Sequence, residues 1–125
     1  TTGRARRVGW IDLVQLKYAN QLNSFSEVIL TKIDVLSGLK EVKLCTGYLI
    51  NGHPASGVPS DIESFKNIEP IYETLPGWSS LPEHIETIDQ CPEELKDFIA
   101  KIEEVSEIKV SLISYGPDRN QTFKL

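Results

Sequence analysis

The stretch EVILTKIDVL, residues 27–36, joins a short apolar run to a polar segment. Val28 to Leu30 are three consecutive apolar residues, two of them β-branched, and such a run is typical of a buried strand. The polar segment begins directly after this strand, at Thr31. Since ligands of open α/β sheets bind outside the carboxyl ends of the strands, the sequence predicts a binding site that starts at Thr31.

The four residues from Thr31 to Asp34 suit the recognition of a guanine base. The Asp34 carboxylate can accept two parallel hydrogen bonds, and guanine offers two parallel donors, N1–H and the 2-amino group, a pair that adenine lacks. Two residues earlier, Lys32 can lay its methylene stem over the purine face while its ammonium group stays in water. For this short motif taken alone, the alternative is an ordinary strand end that carries a lysine and an aspartate.

Size and charge restrict the class of protein further. The 125 residues suffice for one domain, and the content of 40% hydrophobic and 25% charged residues is typical of a globular chain. The formal net charge of −5 argues against general binding to nucleic acid or to an anionic membrane. The sequence contains no methionine and opens at Thr1, so we expect it to be part of a longer protein.

Cysteine usage and hydropathy indicate the compartment. Cys45 and Cys91 lack the spacing of a metal site, and no apolar run reaches the length of a membrane span. A signal peptide is not visible either. We therefore expect a cytoplasmic protein with two reduced thiols.

A basic cluster at the amino terminus is the second candidate site. Three of the four arginines of this acidic chain, Arg4, Arg6 and Arg7, lie within residues 1–9. A planar guanidinium matches the two oxygens of a carboxylate or phosphate, and Gly3 permits a positive φ or close approach of the backbone. The cluster therefore predicts a site for a discrete anion, with a solvated basic terminus as the alternative.

Apolar spacing predicts a mixed α/β fold. The predicted elements are helices at 10–23 and 92–107 and strands at 28–30, 41–50, 68–75, 109–114 and 121–125. We expect Trp10, Tyr18 and Leu22 of the first helix to belong to the core. Cys45 should lie on the exposed face of its strand, and residues 53–59 should form a loop.

Four stretches taken together resemble the adenylosuccinate synthetase family. They occur in fitting order and spacing over the whole chain: TTGRARR at 1–7 with Gly9, Trp10 and Asp12, LTKIDVL at 30–36, YETLPGW at 72–78, and SYGPDR at 114–119. The resemblance implies that residues 1–125 are the C-terminal third of such an enzyme. It also implies a mixed sheet with flanking helices, the C-terminal part of a P-loop-NTPase-like fold.

The resemblance implies a GTP-dependent ligase that joins IMP and L-aspartate in AMP biosynthesis. In this family GTP phosphorylates the 6-oxygen of IMP, and the aspartate amino group displaces that phosphate to give adenylosuccinate, GDP and phosphate. The complete enzyme is expected to be a cytoplasmic homodimer that requires Mg²⁺ and binds neither nucleic acid nor a membrane. The phosphate loop, the catalytic residues and the Mg²⁺ ligands would lie in the N-terminal portion. The present segment would then hold no catalytic or metal-binding residue and would be inactive alone.

The resemblance also assigns site residues. The loop at 1–7 would close over aspartate through Thr1, Thr2, Gly3, Arg4, Ala5 and Arg6. Within it, Arg4 would also contact IMP, and Arg6 would lie near the GTP phosphate. The implied guanine contacts are Lys32, Ile33 and Asp34 in segment 31–34, and Ser114, Tyr115 and Gly116 in segment 114–119.

In the second of these segments the backbone is expected to matter more than the side chain, so a tyrosine at position 115 is tolerable. The motif at 76–78 is expected to have a structural role. Two other functions stay open. One is a free-standing, non-catalytic guanine-nucleotide-binding module, and the other is a phosphate- or RNA-binding domain, which the acidic balance disfavours.

Overall fold

The computed structural model describes residues 3, 5 and 7–125, which form α-helices and two β-sheets. In chain order the elements are β1 (Ile11–Asp12), α1 (Leu13–Asn23), β2 (Val28–Leu30), a 3-10 helix (Ile33–Leu36), β3 (Glu41–Ile50), β4 (His53–Ala55), α2 (Ile62–Lys66), β5 (Ile68–Pro76), a second 3-10 helix (Ile88–Gln90), α3 (Glu93–Ser106), β6 (Val110–Ser114) and β7 (Thr122–Lys124). The predicted fold class, a mixed α/β arrangement with flanking helices, is confirmed.

The first sheet is built around β3. β5 runs antiparallel to β3 along its whole length, and β1 (parallel) and β4 (antiparallel) share the other edge. β4 occupies part of the predicted loop at 53–59, so that prediction is wrong for residues 53–55. Asn51 and Gly52 both have positive φ, 52° and 78°, which is the conformation of a tight two-residue hairpin turn, and this turn returns the chain along β3.

The second sheet has the strand order β2-β6-β7. β2 is parallel to β6, and β7 is antiparallel to β6. As an edge strand, β2 buries only one side. Leu30 is buried, whereas Ile29 is 57% exposed, so the prediction of a fully buried strand is wrong for Ile29.

The core lies between α3 and the two sheets. α3 is amphipathic, and its apolar side packs on residues of both sheets; the members of this cluster from these elements include Leu95, Phe98, Ile99, Ile102, Val42, Leu44, Val110 and Ile113. Each fully buried aliphatic side chain of this kind stabilises the fold by ~1.5–3 kcal/mol. The core therefore joins the two sheets.

The structure corrects two details of burial. α1 begins at Leu13, its only buried residue, and Trp10, Tyr18 and Leu22 are 37%, 44% and 67% exposed, so these three are not core. α1 packs against α3 and β3. Cys45 was predicted to be exposed but is buried, because a bulge between Cys45 and Gly47 shifts the register of β3 against β5.

The motif at 76–78 closes the first sheet, in agreement with the structural role expected for it. Trp78 is buried and packs on Phe98, with ring centroids 5.4 Å apart. At Gly77 the backbones approach so closely that an added Cβ would lie 2.0 Å from the carbonyl oxygen of Leu39. Only glycine therefore fits at this position.

Candidate functional site

The two predicted guanine motifs follow neighbouring strands of the same sheet. β2 and β6 are parallel and Leu30 pairs with Ile113, so Thr31 and Ser114 follow these paired residues side by side at the end of the sheet. Adjacent strands lie about 4.8 Å apart, which brings the starts of segments 31–34 and 114–116 within reach of one small ligand. The carboxyl edge of this sheet thus unites two segments that are far apart in the sequence.

Lys32 bends the chain immediately after β2. Its backbone is in the left-handed region, with φ 61° and ψ 38°, and its carbonyl accepts a hydrogen bond from the Val35 N–H at 3.4 Å. This conformation starts the short 3-10 helix that begins at Ile33. Because the Ile33 side chain is only 4% exposed, Ile33 has little more than its backbone to offer a ligand.

Asp34 lies in the first turn of this 3-10 helix and is exposed, as is Lys32. Its backbone carbonyl accepts from the Ser37 N–H at 3.1 Å. No hydrogen bond or ion pair of the Asp34 carboxylate or the Lys32 ammonium group is found within the described part of the chain. Both side chains can therefore reach a ligand from the sheet edge.

Residues 38–40, which follow the 3-10 helix of Asp34, are hydrogen-bonded to Gly77 and Trp78 at the end of β5. The Gly38 N–H donates to the Trp78 carbonyl at 2.8 Å, and the Gly77 N–H donates to the Lys40 carbonyl at 3.0 Å. Since Trp78 is part of the core, these two bonds connect the 3-10 helix and its flanks to a rigid part of the molecule.

Tyr115 points into the core, away from the sheet edge. It is 3% exposed, its ring packs on Phe123 with centroids 5.9 Å apart, and its hydroxyl accepts the Ile85 N–H at 3.0 Å. Its own N–H donates to the Gln121 carbonyl at 3.0 Å. The side chain is thus unavailable to a ligand, which fits the expectation that the backbone matters more than the side chain at this position.

Because Gly116 has no Cβ, the Gln121 side chain can lie against it and close the loop. An added Cβ would lie 2.1 Å from Oε1 of Gln121, and this oxygen accepts the Asp118 N–H at 3.0 Å. The Ser114 hydroxyl donates to the Gly116 carbonyl at 3.4 Å. The role of Gln121 was missed at the level of sequence, because no spacing or composition marks a side chain that folds back over a turn.

A cleft of about 240 Å³ opens beside the start of the first 3-10 helix. Its walls include Trp10, Ile11, Val35 and the two lysines Lys32 and Lys43. Trp10, predicted to be core, is therefore a wall of this cleft. Lys43 forms an ion pair with Glu41 at 3.4 Å. The apolar surface together with the Lys32 ammonium group suits a flat or aliphatic ligand that also carries negative charge.

Most of the predicted aspartate and IMP loop lies outside the described residues, namely Thr1, Thr2, Arg4 and Arg6. Gly3 has a φ of 64°, one of the two conformational uses that a glycine permits at this position. Ala5 and Arg7 are exposed. The assignment of this loop to substrates stays a prediction.

The two cysteines are free and buried, and burial raises the pKa of both the Cys45 and the Cys91 thiol. Such thiols stay protonated near neutral pH and are poor nucleophiles. Within residues 3, 5 and 7–125, no three His, Cys, Asp or Glu side chains are grouped so that they could hold a metal ion. Among the same residues, no helix is long and apolar enough to cross a membrane.

These features define a mixed α/β protein of the P-loop-NTPase-like class, with polar segments at the carboxyl ends of β2 and β6. A family model described as adenylosuccinate synthetase matches residues 1–123, and the chain belongs to that family.

Individual relatives of the chain are also adenylosuccinate synthetases. The adenylosuccinate synthetase of Teredinibacter turnerae is 47% identical over 125 residues, which are 100% of this chain and 29% of the relative. That of Shewanella loihica is 49% identical over 126 residues, again 100% of this chain and 29% of the relative. A solved structure described as fully ligated adenylosuccinate synthetase from Plasmodium falciparum matches with a TM-score of 0.92 and 34% identity, over 100% of this chain and 30% of that one. The chain thus spans about 29% of the length of the curated relatives it matches.

Proposed function

We propose that this chain is the C-terminal third of an adenylosuccinate synthetase and supplies its guanine site and its aspartate and IMP loop. The complete protein would use GTP to join IMP and L-aspartate into adenylosuccinate, with release of GDP and phosphate, in AMP biosynthesis. One observation carries the proposal beyond family membership: the pairing of Leu30 with Ile113 brings the two predicted guanine motifs to one sheet edge. We further expect the complete protein to be a cytoplasmic homodimer.

Asp34 would identify the base. Its exposed carboxylate can accept from guanine N1–H and the 2-amino group together, and charge-assisted hydrogen bonds of this kind are about twice as strong as neutral ones. Adenine presents neither donor in that arrangement. Lys32 would cover the purine face with its methylene stem, and its left-handed backbone starts the 3-10 helix that carries Asp34.

The loop after β6 would contact the nucleotide through its main chain. Tyr115 has its side chain in the core and its N–H bonded to Gln121. For the Gly116 N–H, by contrast, no partner is found among the described residues. A main-chain donor at this edge suits an acceptor such as guanine O6, adjacent to the N1–H that Asp34 would bind.

Binding of aspartate, IMP and the GTP phosphate would involve the loop at 1–7. In the loop at 1–7, Arg4 would bind the aspartate carboxylate and IMP, and Arg6 would lie near the GTP phosphate, since a guanidinium pairs with two oxygens at once. The family implies Mg²⁺, but the described residues hold no group that fits a metal. We assign no step to Mg²⁺ here and expect its ligands in the portion of the complete protein outside this chain, together with the phosphate loop and the catalytic residues.

The proposal is tested by assaying the complete protein and the isolated chain side by side for adenylosuccinate. The complete protein should form product from IMP and aspartate with GTP but not with ATP, because only guanine satisfies the Asp34 carboxylate. The isolated chain should form none, because the phosphate loop and the catalytic residues are proposed to lie outside it.

Product formation that is equally fast with ATP would contradict the guanine assignment. Turnover by the isolated chain would contradict the proposal that the phosphate loop and the catalytic residues lie outside it. GTP binding by a protein that makes no adenylosuccinate would support the non-catalytic guanine-nucleotide-binding module.

A further inference from the structure

A long-range hydrogen bond links the irregular segment 79–91 to the loop at 114–119. The Ile85 N–H donates to the Tyr115 hydroxyl at 3.0 Å, between residues 30 positions apart. The other hydrogen bonds of segment 79–91 found in the described part of the chain are local, such as those from the Glu86 and Thr87 N–H groups to Gln90 Oε1. Apart from apolar packing, this bond therefore decides where the segment lies relative to the loop.

Both partners of this bond are inaccessible to water. Ile85 is 2% exposed and Tyr115 is 3% exposed. If the hydroxyl were removed, the Ile85 N–H would stay buried without an acceptor, and the molecule could satisfy it only by local opening of segment 79–91.

The same tyrosine fixes the main chain that the proposed function assigns to guanine. Its ring is held by Phe123 and its N–H by Gln121, so a shift of the Tyr115 ring displaces the backbone of residues 114–116. On the outer side, Glu83 and His84 face residues 118–121 across a cleft of about 510 Å³. Segment 79–91 thus forms one wall of this cleft and the 114–119 loop forms the other.

We propose that Tyr115 is a positioning residue of the nucleotide site: its hydroxyl fastens segment 79–91 to the 114–119 loop and thereby holds the guanine-facing main chain of Ser114 to Gly116 in place. Its side chain does not touch the base. The inference rests on the proposed function for the identity of the nucleotide.

The test compares Tyr115→Phe with Tyr48→Phe in the complete protein. Tyr48 is a matched control, because it is also 3% exposed and its hydroxyl also makes a hydrogen bond, to Asp12. Tyr48 and Asp12 both lie in the first sheet, away from the 114–119 loop. For Tyr115→Phe we expect a rise in the GTP KM of roughly three- to tenfold with kcat and the KM values for IMP and aspartate near the parent values, the signature of lost nucleotide binding. Tyr48→Phe should leave all KM values unchanged.

Hydrogen exchange measured by mass spectrometry provides the structural readout. Tyr115→Phe should speed amide exchange in segment 79–91 and in the 114–119 loop, and Tyr48→Phe should not. In the parent protein, saturating GTP should slow exchange in both segments together, because coupling between two sites acts in both directions. This last measurement does not depend on the folding of any variant.

Three results would overturn the inference. They are a parental GTP KM in Tyr115→Phe, parental exchange in segment 79–91 of that variant, and no effect of GTP on this segment in the parent. Failure of the proposed function is recognised separately, in the parent protein, as adenylosuccinate formation that does not depend on GTP or is absent.

Discussion

Lys32 has an unusual backbone conformation between the end of β2 and the first 3-10 helix. A left-handed φ of 61° in a residue with a Cβ costs ~1–2 kcal/mol, and such conformations persist only where surrounding structure imposes them. Here the imposing structure is β2 on one side and the buried Ile33 on the other. With this conformation Lys32 follows directly after β2, and the buried Ile33 separates it from Asp34. Lys32 and Asp34 are both exposed.

The close backbone approach at Gly77 is a second constraint at the residue scale, and it predicts a sharp loss of stability on substitution. In Gly77→Ala the new Cβ would meet the Leu39 carbonyl at 2.0 Å, and backbone has little freedom to move away. We expect the free energy of unfolding to fall by ~2–4 kcal/mol, at the upper end for single substitutions. Urea denaturation of the complete protein, followed by tryptophan fluorescence, measures this change.

Gly57→Ala is the matched control for that experiment. An added Cβ at Gly57 has no heavy atom within 4 Å, so its unfolding free energy should stay within ~0.5 kcal/mol of the parent. Equal stability of the two variants would show that Leu39 does not approach Gly77 as closely as described.

At the scale of elements, periodicity predicted some segments well. The strand at 41–50 has the predicted bounds, and α3 spans Glu93–Ser106 within the predicted 92–107, because in both segments apolar residues recur with a single period. β4 was missed because Pro54, with Ser56 and Gly57 shortly after it, suggests a loop, although a proline is tolerated on an edge strand. For α1, the pattern indicated an apolar side but could not say which segment covers it.

Asp12 links the N-terminus of α1 to β3, and this link is open to test. Asp12 accepts the Gln15 N–H at 3.0 Å as the helix N-cap and the Tyr48 hydroxyl at 2.5 Å. In Asp12→Ala, the lost cap and the unpaired buried hydroxyl together should lower the free energy of unfolding by ~2–4 kcal/mol.

Asp61→Ala is the control, because Asp61 caps the short helix α2 through the Ser64 N–H at 2.7 Å and has no buried partner among the described residues. Its effect should not exceed ~1 kcal/mol. If thermal or urea unfolding gave the two variants the same stability, the Asp12–Tyr48 bond would contribute nothing.

At the scale of the whole molecule, the sequence predicted where the candidate site would lie but not how it is supported. The strand at 28–30 followed by a polar segment predicts a site at a carboxyl edge, and the family resemblance adds the segment after β6. The parallel pairing of β2 with β6 brings both segments to the same edge. The bond between Ile85 and Tyr115 could not be predicted, because both residues lie in irregular segments without periodicity. The left-handed turn at Lys32 could not be predicted either, since nothing in a lysine side chain favours it.

Asp34 is proposed to bind the guanine base, and the variant Asp34→Asn in the complete protein tests this contact. The amide would place an NH₂ group against the guanine 2-amino group, donor against donor. An unmade hydrogen bond in such a site costs ~1–3 kcal/mol, which corresponds to a loss in kcat/KM for GTP of roughly five- to 150-fold. Xanthine carries a carbonyl at that position, so the same amide would face an acceptor and kcat/KM for XTP should rise.

The measurement is kcat/KM for GTP and for XTP, side by side, at fixed IMP, aspartate and Mg²⁺. Asp97→Asn, the same chemical change at an exposed position of α3, is the control and should leave both values at those of the parent. We expect a switch in Asp34→Asn, with GTP use lowered and XTP use raised. Parental use of GTP would show that Asp34 does not contact the base, and an equal loss with both nucleotides would show that Asp34 supports the fold instead; either result would refute the assignment of Asp34 to guanine.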